Sequence, residues 1–139
     1  MSSRTKSRKR AVDAVFAADL RKVSPSILLE EAFKQVAGQQ NQDEIFGYAR
    51  SIVDGIIEHN GDIDDLLDTY SNAWPLDRMP AVDRAILRVA VWEICYNTEI
   101  PAPVAIDEAI ELARELSTDE SPKFINGLLS KIASTREAK

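Results

Sequence analysis

"PAVDRAILRVAVWEI" (Pro80–Ile94) decides the fold. Wound at 3.6 residues per turn, Val82, Ile86, Leu87, Val89, Val91, Trp92 and Ile94 leave no wide polar face. A helix that is apolar nearly all round must be enclosed by other helices. The stretch therefore predicts a central strut over about Ala81 to Tyr96, and the remaining question is what surrounds it.

Downstream, "PAP" (Pro101 to Pro103) breaks the chain and opens a helix with Ile106, Ala109, Ile110, Ala113 and Leu116 on one stripe. Ser117-Thr118-Asp119-Glu120 then fits a capping box, and Ser121-Pro122 offers a competing start one turn later. The last helix carries Ile125, Leu128, Leu129 and Ile132. Upstream, Pro75 stops a helix whose stripe is Ile63, Leu66, Leu67, Tyr70 and Trp74, with Asp62 as its cap. Asn60-Gly61 ends the helix before it, which places Ile45, Ala49, Ile52, Val53, Ile56 and Ile57 at i, i+3, i+4, i+7 spacing. A helix with Ile27, Leu28, Phe33 and Val36 begins at Ser24-Pro25 and stops near Gly38. The first helix runs from about Lys6 to Lys22, with Val12, Val15, Phe16, Leu20 and Val23 on one face. No strand alternation and no internal repeat occur. The expected fold is all-α with seven helices, a three-helix N-terminal group packed on a four-helix C-terminal group. One domain over 1–139 is expected, with subdomains about 1–60 and 62–139.

The 139 residues, 45% apolar and 29% charged, describe an ordinary globular chain. His59, which in the last turn of its helix reads as a partner of the C-terminal dipole, is the sole histidine, and Cys95 is the sole cysteine. That excludes an intrachain disulfide, a cysteine metal cluster and a two-histidine metal site, and it suits a reducing cytoplasm. Asp13 and Asp19 interrupt the apolar run after Arg10, which argues against a secretory segment, a transit peptide or a membrane span. Asp62, Asp64, Asp65 and Asp68 lack the spacing of a calcium loop and read as acids favoured in a helix's first turn. Asp107, Glu108, Glu111 and Glu115 read as a solvated helix face. With no phosphate-binding glycine loop and no acid–base pair in a hinted pocket, the sequence does not read as an enzyme. No metal or cofactor is expected.

Charge is distributed unevenly. Residues 1–10 hold Arg4, Lys6, Arg8, Lys9 and Arg10 and no acid, whereas 11–139 carry a net charge of −11. Cations near a helix N-terminus are mildly unfavourable, so the cluster makes sense if an external polyanion compensates it. The alternative is a solvated tail that aids solubility. Phe16 lies less than two turns after Arg10 and serves either to stack on a base or to pack in the core. Phe124 sits about 100° from Ile125, at the margin of the last helix's buried stripe, with Lys123 on the exposed side. A rim phenylalanine beside a lysine at a helix start suits RNA as well as packing. Asn126 could read a base edge or bond a neighbouring loop. Gly127 lies opposite the buried stripe, where either another surface approaches or its cost of about 1 kcal/mol is tolerated.

Read together, "AVDRAILR" (Ala81–Arg88), "PVAIDEAIELAR" (Pro103–Arg114) and "DESPKFINGLL" (Asp119–Leu129) resemble the bacterial transcription antitermination family NusB. The three blocks occur in the family's order and spacing, "RKRAVDAVFAADL" (Arg8–Leu20) is similar to its first helix, and the wording resembles actinobacterial members. The weakest stretches are 22–45 and 71–80. The resemblance implies an all-helical, non-catalytic adaptor in the cytoplasm that binds the boxA element of ribosomal RNA leader transcripts as single-stranded RNA. It implies NusE, a ribosomal small-subunit protein, as partner, within an RNA polymerase elongation complex that holds other Nus factors. By position, Arg8, Lys9 and Arg10 match the family's arginine-rich segment and Phe16 its helix-one aromatic, commonly tyrosine. Glu120, Ser121, Lys123 and Phe124 match its acidic-Ser-x-Lys-Phe segment. Tyr70, Asp83 and Arg84 are the expected partner contacts. The alternative is a protein-only helical scaffold or homodimer.

Overall fold

The computed structural model describes residues 1–137. Seven α-helices and one 3-10 turn follow in order: α1 (Ser3–Arg21), α2 (Pro25–Val36), α3 (Gln42–Glu58), α4 (Asn60–Tyr70), the turn Leu76–Arg78, α5 (Ala81–Tyr96), α6 (Ala102–Leu116) and α7 (Ser121–Glu137). No strand occurs among the described residues.

Local chemistry sets most boundaries. The Ser2 hydroxyl accepts from the Thr5 N–H at 3.1 Å and starts α1 at Ser3, one residue before the basic cluster's first member, Arg4. Lys22 ends that helix in the left-handed region at φ 57°, and Pro25 opens α2 with the φ a first turn needs. Asn41 takes φ 66° ahead of α3, whose first turn carries Asp43 and Glu44 against the helix dipole. Pro101-Ala102-Pro103 opens α6 as expected, and α7 begins at the later of its two candidate starts, Ser121.

The strut is enclosed. α5 packs on α1, α3, α4, α6 and α7, and one continuous core joins the first three helices to the last four. Leu87, Ile86, Val91, Ile52, Phe46, Ile63, Leu67, Ile125, Leu129 and Ile132 are sealed at its centre. Each such side chain contributes roughly 1.5–3 kcal/mol relative to exposure. At Gly55 a Cβ would fall inside the Trp92 indole, so only glycine lets α3 approach α5 this closely.

Four expectations are corrected. α4 starts at Asn60 with His59 alone as the junction, because Ile63 already donates to the His59 carbonyl at 2.9 Å; Asn60-Gly61 form a first turn, not a break. α4 also stops at Tyr70, so Trp74 reaches the core from a loop. Ser71 donates its N–H to the Leu67 carbonyl and its hydroxyl to the Trp74 carbonyl, and the Asp68 carboxylate accepts from the Leu76 N–H at 3.0 Å. Leu20, Ile27 and Ile57, placed on buried stripes by periodicity, are 58%, 53% and 46% exposed, because no helix covers those ends of α1, α2 and α3. His59 lies flat on Tyr96, with ring centroids 3.7 Å apart, instead of serving only as a dipole partner.

Candidate nucleic-acid interface

The basic head does not stay together. Arg4 and Lys6 are exposed, Lys9 and Arg10 half-exposed, and Arg8 is 3% exposed. Helical spacing explains the split: Arg8 lies one turn before Val12 on α1's inward face, while Lys6, Lys9 and Arg10 point outward. Arg8 donates its Nε to both oxygens of Glu93, itself 1% exposed, at 2.8 and 3.0 Å, and stands 3.2 Å from Glu108. Tyr48 donates its hydroxyl to the same Glu93 carboxylate and accepts from Asn97 at 3.0 Å. Burial opposes the Arg8 charge, but the Glu93 hydrogen bond and the two carboxylates outweigh it and hold the guanidinium firmly protonated. Burial first, then the bond to Glu93, pushes the Tyr48 hydroxyl up to about 12. The expectation that Arg8 meets RNA is therefore corrected: its charge is compensated inside the protein.

The outward cations form a groove. Lys6, Lys9, Arg10, Asp13, Gln42 and Ile45 line a cavity of about 290 Å³ where α1 meets the start of α3, and Met1 closes one edge. The buried Gln42 Oε1 has no hydrogen-bond partner there. Arg10 lies over the Phe46 ring at 5.1 Å and Arg4 over Tyr48 at 3.8 Å, so both guanidinium planes are oriented by aromatics. The Lys9 ammonium bonds Glu115 at 2.6 Å, which raises its pKa. Phe16 is half-buried against the core.

The start of α7 divides in the same way. Ser121 is buried and donates to Asp83 at 2.8 Å, and Ser117 donates to the other oxygen of that carboxylate. Ser121 is thus a structural clamp and not an outward contact. Asp83 is wholly enclosed and Arg84 mostly so: Arg84 bonds Asp19 at 2.7 Å and the carbonyls of Leu76 and Met79. The expectation that these two meet a partner is corrected, since their polar atoms are committed to holding the α5 start. Tyr70 remains half-buried at the end of α4. Lys123 and Asn126 are exposed and line a second cavity, about 470 Å³, with Ile110, Arg114 and Pro122. Glu120 is exposed beside it. Phe124 is half-buried, edge-on to Trp74 with centroids 4.9 Å apart, and a Cβ at Gly127 would meet open space.

α6 stands between the two cavities. Its Glu108 accepts from Thr5 at 2.8 Å, its Glu115 holds Lys9, and its Ile110 and Arg114 wall the α7 side. The cationic groove and the α7 rim are thus joined through one helix. The sequence reading passed over Arg114, Gln42 and Tyr48; for Arg114 the available signal was a lone cation on an otherwise acidic helix face.

A central apolar helix wrapped by five others defines an all-helical bundle protein. Within that class the chain belongs to the NusB family, which matches residues 5–134. It is 49% identical to the transcription antitermination protein NusB of Kineococcus radiotolerans, covering 99% of this chain and 97% of that protein. It is 48% identical to the protein of that name from Clavibacter sepedonicus over 98% and 99%; both relatives are actinobacterial. Among solved structures, Thermotoga maritima NusB superposes with a TM-score of 0.86 at 35% identity, covering 96% of this chain and 92% of that one. A NusB solved with NusE and double-stranded RNA shares the fold, with a TM-score of 0.85 at 24% identity over 97% and 98%.

Proposed function

We propose that this chain is a non-catalytic transcription antitermination adaptor that binds boxA RNA together with NusE on the RNA polymerase elongation complex with other Nus factors. The observation that carries the reading is the groove of Lys6, Lys9 and Arg10 on a body whose remainder has a net charge of −11. A cation groove of this kind attracts phosphate by counterion release, and the acidic remainder discourages indiscriminate binding. Lys123 adds a fourth outward cation, Asn126 a hydrogen-bonding edge, and Phe124 a half-exposed ring for a base. The exposed Glu120 beside Lys123 and the half-buried Phe16 of α1 are further candidate contacts. Tyr70 and the exposed acids of α4, Asp62, Asp65 and Asp68, offer a surface to a basic ribosomal protein. The chain works as one unit in the cytoplasm; no described helix is long and apolar enough to cross a membrane.

The test is a titration with boxA RNA, with and without NusE, against a scrambled RNA of equal length. With roughly four phosphates contacted, log affinity should fall against log salt with a slope near −3 for single-stranded RNA. Equal affinity for both RNAs under every condition would remove sequence recognition from the reading.

A further inference from the structure

The outer face of α6 carries three carboxylates about one turn apart, and each holds a cation or donor. Glu108 faces Arg8 and accepts from Thr5, Glu115 holds Lys9 at 2.6 Å, and Glu111 pairs with Arg114. Arg114 and Glu111 are 60% and 64% exposed, so solvent screens their attraction and the pair is easily exchanged. Arg114 also has a particular position. It lines the cavity of Lys123 and Asn126 and, on its other side, a cavity of about 490 Å³ shared with Thr5, Leu112 and Glu115. No other residue lines both.

We propose that this face of α6 carries the transcript from the α1 groove to the α7 rim, with Arg114 as a phosphate contact. Glu111 and Glu115 hold Arg114 and Lys9 until phosphate displaces them. The proposal rests on the RNA-binding reading above. A strand crossing from groove to rim must pass a strip that is otherwise acidic, and Arg114 is the cation placed to neutralise a phosphate there. Exchanging a carboxylate for a phosphate leaves the cation paired, but it strands the carboxylate beside new negative charge. That repulsion lowers affinity for every RNA alike, so only a strand that also gains contacts at Asn126 and Phe124 binds well. The penalty is common to all strands, so it weakens non-cognate binding in absolute terms, while the contacts at Asn126 and Phe124 set the preference between RNAs.

The experiment uses the full chain with a boxA oligonucleotide and a scrambled one over a salt series. Arg114→Gln should weaken binding of both about fivefold and make the salt slope shallower by about 0.7. Glu111→Gln should act in the opposite direction, tightening both about two- to fivefold and leaving the ratio between boxA and scrambled RNA unchanged. Both side chains are exposed, so the melting temperature should stay at the parent value and leave the affinities interpretable. Unchanged affinity and slope in both variants, or a loss of affinity with Glu111→Gln, overturns the proposal while leaving RNA binding intact. Failure of the parent protein to bind either RNA overturns the reading beneath it instead.

Discussion

The starts of α1 and α7 solve one problem with different chemistry. Each must hold solvent-facing RNA-binding candidates in place, and each does so by turning one polar neighbour inward. In α1 the inward group is Arg8, fully charged and locked to Glu93 beneath Lys9 and Arg10. In α7 it is Ser121, a neutral hydroxyl bonded to the enclosed Asp83 beneath Lys123. A buried ion pair is strongly damaged by losing one partner, because the other is left charged and unpaired in a poor solvent. A carboxylate fed by two hydroxyls degrades more gently. The two anchors should therefore differ in how much of the fold depends on them.

The largest effect belongs to Arg8. Arg8→Ala should destabilise the protein by about 3–5 kcal/mol, read by denaturant unfolding. Adding Glu93→Gln to that variant should recover part of the loss by removing the stranded charge. Simple loss of packing predicts no recovery, so a double variant as unstable as the single one would refute the ionic account. Asp83→Ala should cost less, about 1.5–3 kcal/mol, because Ser117, Ser121 and Thr118 still bond one another. A loss from Asp83→Ala that matches Arg8→Ala would erase the distinction between the anchors.

Much of this fold was readable in advance, and the failures share a cause. α5 and α6 ended where their prolines and apolar stripes indicated, since both signals are local. Trp74 was drawn into α4 because periodicity counts apolar spacing; it cannot register that Ser71 and Asp68 reach forward to tie a loop. The candidate site divides the same way. The outward groups Lys6, Lys9, Arg10, Lys123 and Asn126 stand out as polar residues on the far side of apolar stripes. Arg8, Ser121, Asp83 and Arg84 were misread as contacts because their partners lie 34 or more residues away in several cases, 85 for Arg8 and Glu93. A pairing between distant positions leaves no trace in the spacing of either one.

The α1 anchor also carries a pH signature. Tyr48 keeps its proton in the folded protein to about 12, whereas an unfolded tyrosine loses it near 10. Between those values the unfolded chain binds fewer protons than the folded one, so stability must fall as pH rises. The contribution is complete below about pH 10 and gone above about pH 12, and amounts to roughly 2 kcal/mol. Unfolding the parent protein and Tyr48→Phe at about pH 9 and about pH 11.5 isolates it. The parent should lose the larger share of its stability over that interval, and parallel losses would mean that neither burial nor Glu93 holds the phenolic proton.

The smallest stability effect should come from the outward groups, and it tests the division between anchor and contact most sharply. Lys6→Ala and Lys123→Ala remove side chains that make no ion pair among the described residues. Each should shift stability by no more than about 0.5 kcal/mol, as surface changes away from special features do. Together they should still make the salt slope for boxA RNA shallower by about 1.4, or 0.7 for each lost phosphate contact. Because one variant lies in the α1 groove and the other on the α7 rim, the two increments should add if a single strand spans both. A slope that responds to Lys6 alone would confine the RNA to the α1 groove and leave the α7 rim free for another partner.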